Sequence, residues 1–500
     1  MTESGTGIGA GAGSGVADLQ DVLWKAAAKL RGSMDSSQYR DFVLGLVFLK
    51  YASSAFGGVP ESARWPAVVS GPGPIGARID AAMAAVMAAE PSLDGALPLI
   101  FGAENVDQRR LADLAAVIGD ARFTGNGADG GEGGAGGGAA RDLLGEVYEY
   151  FLETFARAEG RRGGEFYTPK SVVKLLVEVL EPYKGRVYDP CCGSGGMFVQ
   201  AEKFVLSRRG RSGDIAVHGQ EANARTWRLA RMNLAIHGIG GDLSARHADT
   251  FYEDAHPGLL ADHVLANPPF NMSDWYRDPE DPRWRFGVPP AGNANFAWMQ
   301  HIIAKLGPRG GAGVVMANGS MSSRQSAESG IRAAMVEADL VSCVVALPPQ
   351  LFRTTPIPAC LWFFAKDKGP DGGRDDRRGQ VLFIDARSMG TLLDRTERVL
   401  TGDDITRIAG TYHSWRGGPS APGPYADEPG FCRSAGLEEI RGRGHVLTPG
   451  HYAGAAETAD EASEPVRDRV ERLTKELLAR LDESARLDDV VRVQLDRLKG

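Results

Sequence analysis

The chain has 500 residues, 43% of them hydrophobic, and a formal net charge of −8. This length predicts two or three domains with real cores, and the acidic balance excludes a large nonspecific nucleic-acid surface while allowing a local basic channel. No apolar run approaches the ~20 residues of a membrane span, and the five cysteines show no repeated metal-type spacing, so the expectation is a cytoplasmic protein with no metal and no membrane partner.

The opening "MTESGTGIGAGAGSG" has neither a basic region nor an apolar stretch. It is expected to be a flexible tail over residues 1–17, not a signal peptide. Helical spacing then begins. In "DLQDVLWKAAAKLRG", Leu19, Leu23, Ala27 and Leu30 share a face behind a cap at Asp18. Tyr39, Phe42, Val43, Leu46 and Val47 do the same in "SSQYRDFVLGLVFLKYAS". "LADLAAVIG" and "RDLLGEVYEYFLETFARAEG" continue the pattern on either side of a glycine-rich insertion near residues 125–139. Residues 18–160 therefore read as a helical N-terminal domain, with a tract inside it too poor in apolar side chains to fold.

From residue 161 short apolar runs alternate with helical segments: "RVYDP", "IAVHGQE", "DHVLANPPF", "GAGVVMANG", "LVSCVVALP", "PACLWFFAKD" and, as a last strand, "QVLFIDAR". Such alternation predicts an α/β fold with a mostly parallel, doubly wound sheet over 161–400. Residues 401–462 read as loop-rich. In the tail, 463–500, Val466, Val470, Leu473, Leu477 and Leu481 form one apolar stripe with charged flanks, a helix that needs a partner surface.

Chemistry gathers at the strand ends. "DPCCGSGG" is a strand end and a glycine turn in which Gly193, Gly195 and Gly196 allow positive φ and a close backbone approach. It is neither G-x-G-x-x-G nor a P-loop. Asp189 either fixes this turn or meets a cationic ligand group. Glu221 follows at roughly the ~20-residue spacing at which an acid grips ribose hydroxyls. Its structural alternative is an acid at a helix start. Asp249 is expected to end a third short strand, where it accepts from an adenine amino group or sits as a solvated loop acid. The fourth strand runs into "ANPPF". Pro268 and Pro269 cannot donate to a ladder, so pairing stops there, with Asn267 at the strand's carboxyl end and Phe270 just beyond.

The ordered set of glycine turn, acid, acid and Asn-Pro-Pro-Phe resembles the S-adenosylmethionine-dependent amino-methyltransferases that act on DNA. Longer stretches resemble the modification (methyltransferase) subunit of type I restriction-modification systems: "GGEFYTPKSVVKLLVEVLEPYKGRVYDPCCGSGGMFVQA", "YEYFLETFA", "GQEANARTWRLARMNLAIHG", "WRFGVPPAGNANFAWMQHIIAKL", "LPPQLFRTTPIPACLWFF" and the N-terminal "LWKAAAKLRGSMDSSQYRDFVLGLVFLKY". The resemblance spans most of residues 18–400, and "LTPGHYAG" extends it. It implies a Rossmann-like methyltransferase sheet behind a helical domain, with methyl transfer to the adenine 6-amino group.

By the same resemblance, Glu165, Phe166, Tyr167, Thr168, Pro169 and Lys170 form a wall of the cofactor site. Asp189, Gly193, Ser194, Gly195 and Gly196 approach the cofactor's amino-acid end, Glu221 its ribose and Asp249 its adenine. Asn267 and the Pro268 carbonyl accept the amino protons, Pro269 stiffens the turn, and Phe270 stacks on the flipped base. Cys191 and Cys192 read as packing. Asn295 stands where an acid is expected in many relatives. With no sequence-reading domain and no nuclease or helicase motif evident, the implied partners are a specificity subunit, with two copies of this chain around it, a motor-nuclease restriction subunit, and double-stranded DNA reached through the complex. Cytosine amino methylation, protein glutamine methylation and a non-catalytic scaffold are the rival readings.

Overall fold

The computed structural model describes residues 36–103, 106–120, 145–155, 168–208, 210–211, 213–352, 358–455 and 466–497. The expected tail over 1–17, the first helix from Asp18, the glycine-rich insertion and Glu165, Phe166 and Tyr167 lie outside them.

Among the described residues the N-terminal part is built mainly from α1 (Ser36–Ala55), α2 (Ile75–Ala89), α3 (Gln108–Asp120) and α4 (145–155), with a shorter helix at Trp65–Ser70. Their apolar faces close one core from Phe42, Leu46, Ile79, Met83, Leu114, Val147 and Phe151. The following part consists of α5 (Lys170–Leu180), β1 (Gly185–Asp189), α6 (Gly196–Ser207), β2 (Ile215–Gly219), α7 (Ala224–His237), β3 (Gly241–Asp242) and β4 (Ala261–Ala266). Next come α8 (Asn295–Lys305), β5 (Leu306–Ala317), α9 (Ser326–Glu337), β6 (Val341–Ala346), β7 (Ala359–Ala365), β8 (Gln380–Asp385), α10 (Gly402–Arg416) and β9 (Cys432–Gly436). The C-terminal helix α11 is Val466–Arg497.

These nine strands form one sheet in the order β3-β2-β1-β4-β5-β7-β6-β8-β9, and two further two-residue strands, Thr391–Leu392 and Arg398–Val399, pair separately. The period-2 alternation of each strand divides the apolar load between two faces. Val187, Leu265, Val315 and Phe363 face the layer built from α5, α6 and α10. Tyr188, Val264, Val314 and Trp362 face α8 and α9. Helix α7 serves two cores. Its Trp227, Ala230 and Leu234 join the sheet layer, while Leu229, Met232 and Ile236 join the helical core. The N-terminal helices are thereby welded to the wall that follows β2.

The sheet departs from expectation in three places. β7 runs antiparallel to both β5 and β6. Its sequence is uniformly apolar and carries no sign of direction, but residues 347–358 hold no helix among those described, and a parallel return requires a crossover. Residues 401–462, read as loop-rich, supply α10, which places Ile405, Ile408 and Trp415 in the core, and β9, which extends the sheet antiparallel to β8. Asp249 does not end a strand. The third strand is only Gly241–Asp242, and Asp249 sits in the loop beyond it.

Helix α11 exposes Leu473, Leu477, Leu478 and Leu481, as a single stripe with no partner in its own chain would. Val466 and Val470 have side chains outside the described set. Among the described residues no helix is long and apolar enough to cross a membrane. All five cysteines are free thiols.

Candidate active site

Strands β1, β2 and β4 are parallel neighbours, so their carboxyl ends open on one edge of the sheet, where ligands sit in open α/β folds. At the end of β1 the chain turns through Gly193 (φ 56°) and Gly195 (φ 78°) into α6. A side chain at either would be strained. A Cβ placed on Gly196 would meet nothing within 4 Å, so the backbone there is bare to the cleft.

Two buried carboxylates back this turn. Glu221, 6% exposed, accepts the Gly193 N–H at 3.0 Å and the Asn223 N–H at 2.8 Å, one on each oxygen. It therefore joins the glycine turn to the start of α7, as the helix-start reading of this acid expects. Asp189, 2% exposed, accepts the Cys191 N–H at 3.0 Å. Burial, with the Glu221 charge adding to it, pushes the Asp189 carboxyl up to about 7. Burial also raises Glu221. The Cys191 and Cys192 thiols are pushed well up by burial and by these same carboxylates, so both stay protonated wall groups.

β4 ends where the sequence predicts, at Ala266 before Asn267. The Asn267 Nδ2 donates to Thr168 Oγ1 at 2.9 Å. With the Thr168 hydroxyl accepting, the amide oxygen is turned the other way. Its Oδ1 is buried and accepts from nothing among the described residues. Pro268 is buried, and Phe270 packs edge-on against Phe352 with centroids 5.9 Å apart. Asn271 follows with φ 54°. Its backbone N–H donates to Asn295 Oδ1 at 3.0 Å, and its Oδ1 accepts from Asn295 Nδ2 at 2.9 Å. Asn295 thus clamps the chain directly after the tetrapeptide.

The third wall is the loop after β3. The Ala248 N–H donates to the Glu221 carbonyl at 2.9 Å, and Thr250 Oγ1 to the Pro190 carbonyl at 2.6 Å. Asp249 is exposed and accepts the Phe251 and Tyr252 N–H groups, capping its own turn. Phe251 stacks obliquely on Trp298, with centroids 4.4 Å apart.

Thr168, Asp189, Gly193, Ser194, Gly196, Glu221, Asp249, Asn267 and Pro269 all line one cleft of about 880 Å³. Gly195, Pro268 and Phe270 adjoin that lining in the chain. Pro169 caps α5, and the Lys170 ammonium turns to Glu149 (3.3 Å) and Glu153 (3.7 Å). Burial would raise the Glu149 carboxyl, but His237, Lys203 and Lys170 hold it at about 2, an ionic latch between α4 and the cleft's outer side. Thr250, Met272 and Trp298 line the cleft and were missed from sequence. The Trp298 Nε1 is buried without a partner among the described residues. Only its place four residues C-terminal to Ala294, on a helix that follows the tetrapeptide, hinted at it.

Comparison with known proteins bears on this geometry. A family described as N-6 DNA Methylase matches residues 139–461, and one described as HsdM N-terminal domain matches residues 19–58. The chain is 46% identical over 422 residues to the type I restriction enzyme HindI methylase subunit of Haemophilus influenzae, covering 84% of this chain and 92% of that one. It is 34% identical to the type I restriction enzyme MjaIX methylase subunit of Methanocaldococcus jannaschii, covering 96% and 91%. A type I restriction-modification system methyltransferase subunit from Streptococcus thermophilus superposes with a TM-score of 0.72 at 24% identity, over 87% of this chain and 99% of that one.

Proposed function

The chain belongs to the N-6 DNA methylase family of type I restriction methylase subunits, and from that premise we propose that it transfers a methyl group from S-adenosylmethionine to the 6-amino group of adenine in DNA. The observation that carries the chemistry is the buried, unpartnered Asn267 Oδ1 at the edge of the cleft. A buried acceptor without a donor costs on the order of 1–3 kcal/mol. An incoming amino group relieves that cost.

The residues present suit S-adenosylmethionine. The bare glycine turn admits a close backbone approach, and the cleft runs open along it. The wall carries carboxylates, which a cationic amino-acid end and ribose hydroxyls favour and a phosphate would not. Asp189 meets the ammonium, Glu221 takes the ribose with the oxygen lone pairs its two backbone donors leave free, and Asp249 takes the adenine amino group. The cofactor, when bound, supplies a methyl carbon activated by the adjoining sulfonium.

The protein's own part is to prepare the acceptor nitrogen. An adenine 6-amino lone pair is delocalised into the ring and is a poor nucleophile. Asn267 Oδ1 and the Pro268 carbonyl each accept one of its N–H groups, which draws the nitrogen toward tetrahedral geometry and aims its lone pair across the cleft. Pro268 and Pro269 hold both acceptors still, and fixed acceptors where positive charge develops are an effective use of binding energy. Phe270 offers its face to a base turned out of the duplex. No general base is needed before transfer, since the nitrogen loses its proton to solvent afterwards.

The assembly proposal is a specificity subunit flanked by two copies of this chain, with a motor-nuclease subunit joining them. The exposed leucine stripe on α11 supports it. The test is radiolabelled methyl transfer to DNA by the chain reconstituted with its specificity subunit, followed by nucleoside analysis. Label in N6-methyl-2′-deoxyadenosine is expected. Label in cytosine, or in protein glutamine, would overturn the reading.

A further inference from the structure

Beyond the cleft, His218, Asp242 and His256 converge at the far edge of the sheet. His218 and Asp242 are register partners on β2 and β3, so both side chains leave the same face. His256, in the segment that returns to β4, closes over them. Its Nδ1 lies 3.6 Å from Asp242 Oδ2, and the His218 Nδ1 lies 4.0 Å from the same oxygen. The three ligand-type atoms fall within 4.8 Å of one another.

Hydrogen bonds outside the cluster orient two of these groups. The His256 Nε2 is 2.9 Å from the Gly219 carbonyl. A carbonyl only accepts, so Nε2 carries the hydrogen and, in the neutral ring, Nδ1 presents a bare lone pair. Asp242 Oδ1 accepts the Ser244 N–H at 2.9 Å, which leaves Oδ2 turned to the imidazoles. An imidazole lone pair and a carboxylate oxygen thus face each other with no hydrogen between them, and the pair calls for a cation.

We propose that this cation is a divalent transition metal, zinc first among them, bound by His218 Nδ1, Asp242 Oδ2 and His256 Nδ1 with a fourth position open to water. Two imidazoles and a carboxylate suit zinc, and bonds of about 2.0–2.1 Å set tetrahedral ligands roughly 3.3 Å apart. The Asp242–His256 edge is within a few tenths of an ångström of that spacing. Rotation of the exposed Asp242 and the half-buried His218 closes the rest. The Gly219 carbonyl and the Ser244 N–H act as the outer partners that fix ligand tautomer and direction.

The position gives the site a purpose apart from the chemistry. β3 is an edge strand of two residues, and the chain leaves it through Ser244 at φ 63°. The segment between Asp242 and His256 carries Asp249 and Thr250, the third wall of the cleft. A metal bound at both ends of that segment closes it into a loop and steadies the wall. The spacing of the three ligands matches no sequence motif, because two strands and a return loop bring them together.

The test uses the untagged full chain, stripped by chelator and titrated with Zn²⁺ in a calorimeter and with Co²⁺ by visible absorption. One equivalent of zinc is expected, along with intense tetrahedral cobalt bands and a zinc-dependent rise in Tm. His218→Gln, Asp242→Asn and His256→Gln should each weaken binding at least about 10-fold, and the triple variant should lose all three signals. Asp242 is exposed, so Asp242→Asn keeps the fold and decides the matter alone if a histidine variant does not fold. The opposing results are no uptake by the wild-type chain and undiminished uptake by the triple variant, which would mean that the zinc binds elsewhere. Either result overturns the proposal.

Discussion

Replacing Asn267 with alanine removes a buried acceptor that the described residues of the cleft leave unsatisfied, and Thr168→Val removes the bond that orients it. The two changes act at different depths. Asn267→Ala deletes a contact that strengthens as positive charge grows on the nitrogen. Loss of one such pre-organised group costs on the order of 10²–10³ in kcat. Thr168→Val keeps the amide but leaves its Nδ2 without the 2.9 Å partner. A neutral hydrogen bond is worth about 0.5–1.5 kcal/mol, so the amide then divides its time between two orientations and kcat falls about 2-fold. Thr168→Ser keeps the acceptor and should restore it. The assay is single-turnover methyl transfer by the reconstituted complex at saturating cofactor, with cofactor affinity measured separately by calorimetry. Near-normal kcat in Asn267→Ala, or a Thr168→Ser as slow as Thr168→Val, would refute the orientation argument.

Glu221→Ala should weaken S-adenosylmethionine about 10- to 100-fold, the cost of a charged double acceptor, with circular dichroism unchanged; unaltered affinity would leave Glu221 only its tie between the glycine turn and α7. Asp189 titrates at about 7 in the folded chain, far above its unfolded value, so cofactor affinity should fall as pH drops through 7, and Asp189→Asn should flatten that profile. Because this folded pKa is raised, the ligand-free chain gains stability from Asp189 as pH falls from 7 toward 4, opposite to an ion-paired acid, and a denaturant series without that trend would show the carboxyl is not strained by burial. Deleting residues 463–500 should abolish co-purification with a specificity subunit while leaving cofactor binding intact, and assembly by the truncated chain would remove α11 from the interface.

The strand ends were legible because their signals are local. A proline pair must stop a ladder, and a glycine cluster must turn, whatever the rest of the fold does. Asp189, Glu221 and Asn267 followed from those signals and meet in one cleft. The direction of β7 was not legible, because a fully buried strand is apolar on both faces and its direction is set by the connection before it. α10 was missed although its signals are local, 15 residues behind a Thr401–Asp404 capping box, whereas β9 is five residues whose order comes from pairing with β8. Asp249 was placed at a strand end that does not exist. Its turn is built by its own side chain accepting two backbone N–H groups, a short-range device that needs no strand.

What sequence could not supply anywhere was orientation, and Asn295 shows why that matters. From sequence it was only a departure from an expected acid. In the structure it gives one acceptor to the Asn271 N–H and one donor to the Asn271 Oδ1. A carboxylate at 295 would accept from the backbone equally well but would set an oxygen against the Asn271 carbonyl oxygen. Asn271 would then have to turn its amide round, losing the additional 3.4 Å contact from Asn293 Nδ2. Positions 271 and 295 therefore form one unit, in which an amide on each side is the solution this chain has adopted. The unit bears on the reaction because Asn271, held at positive φ, is the residue on which the stiff Asn-Pro-Pro-Phe turn is anchored. The clamp needs matched hydrogen-bonding faces and not a charge.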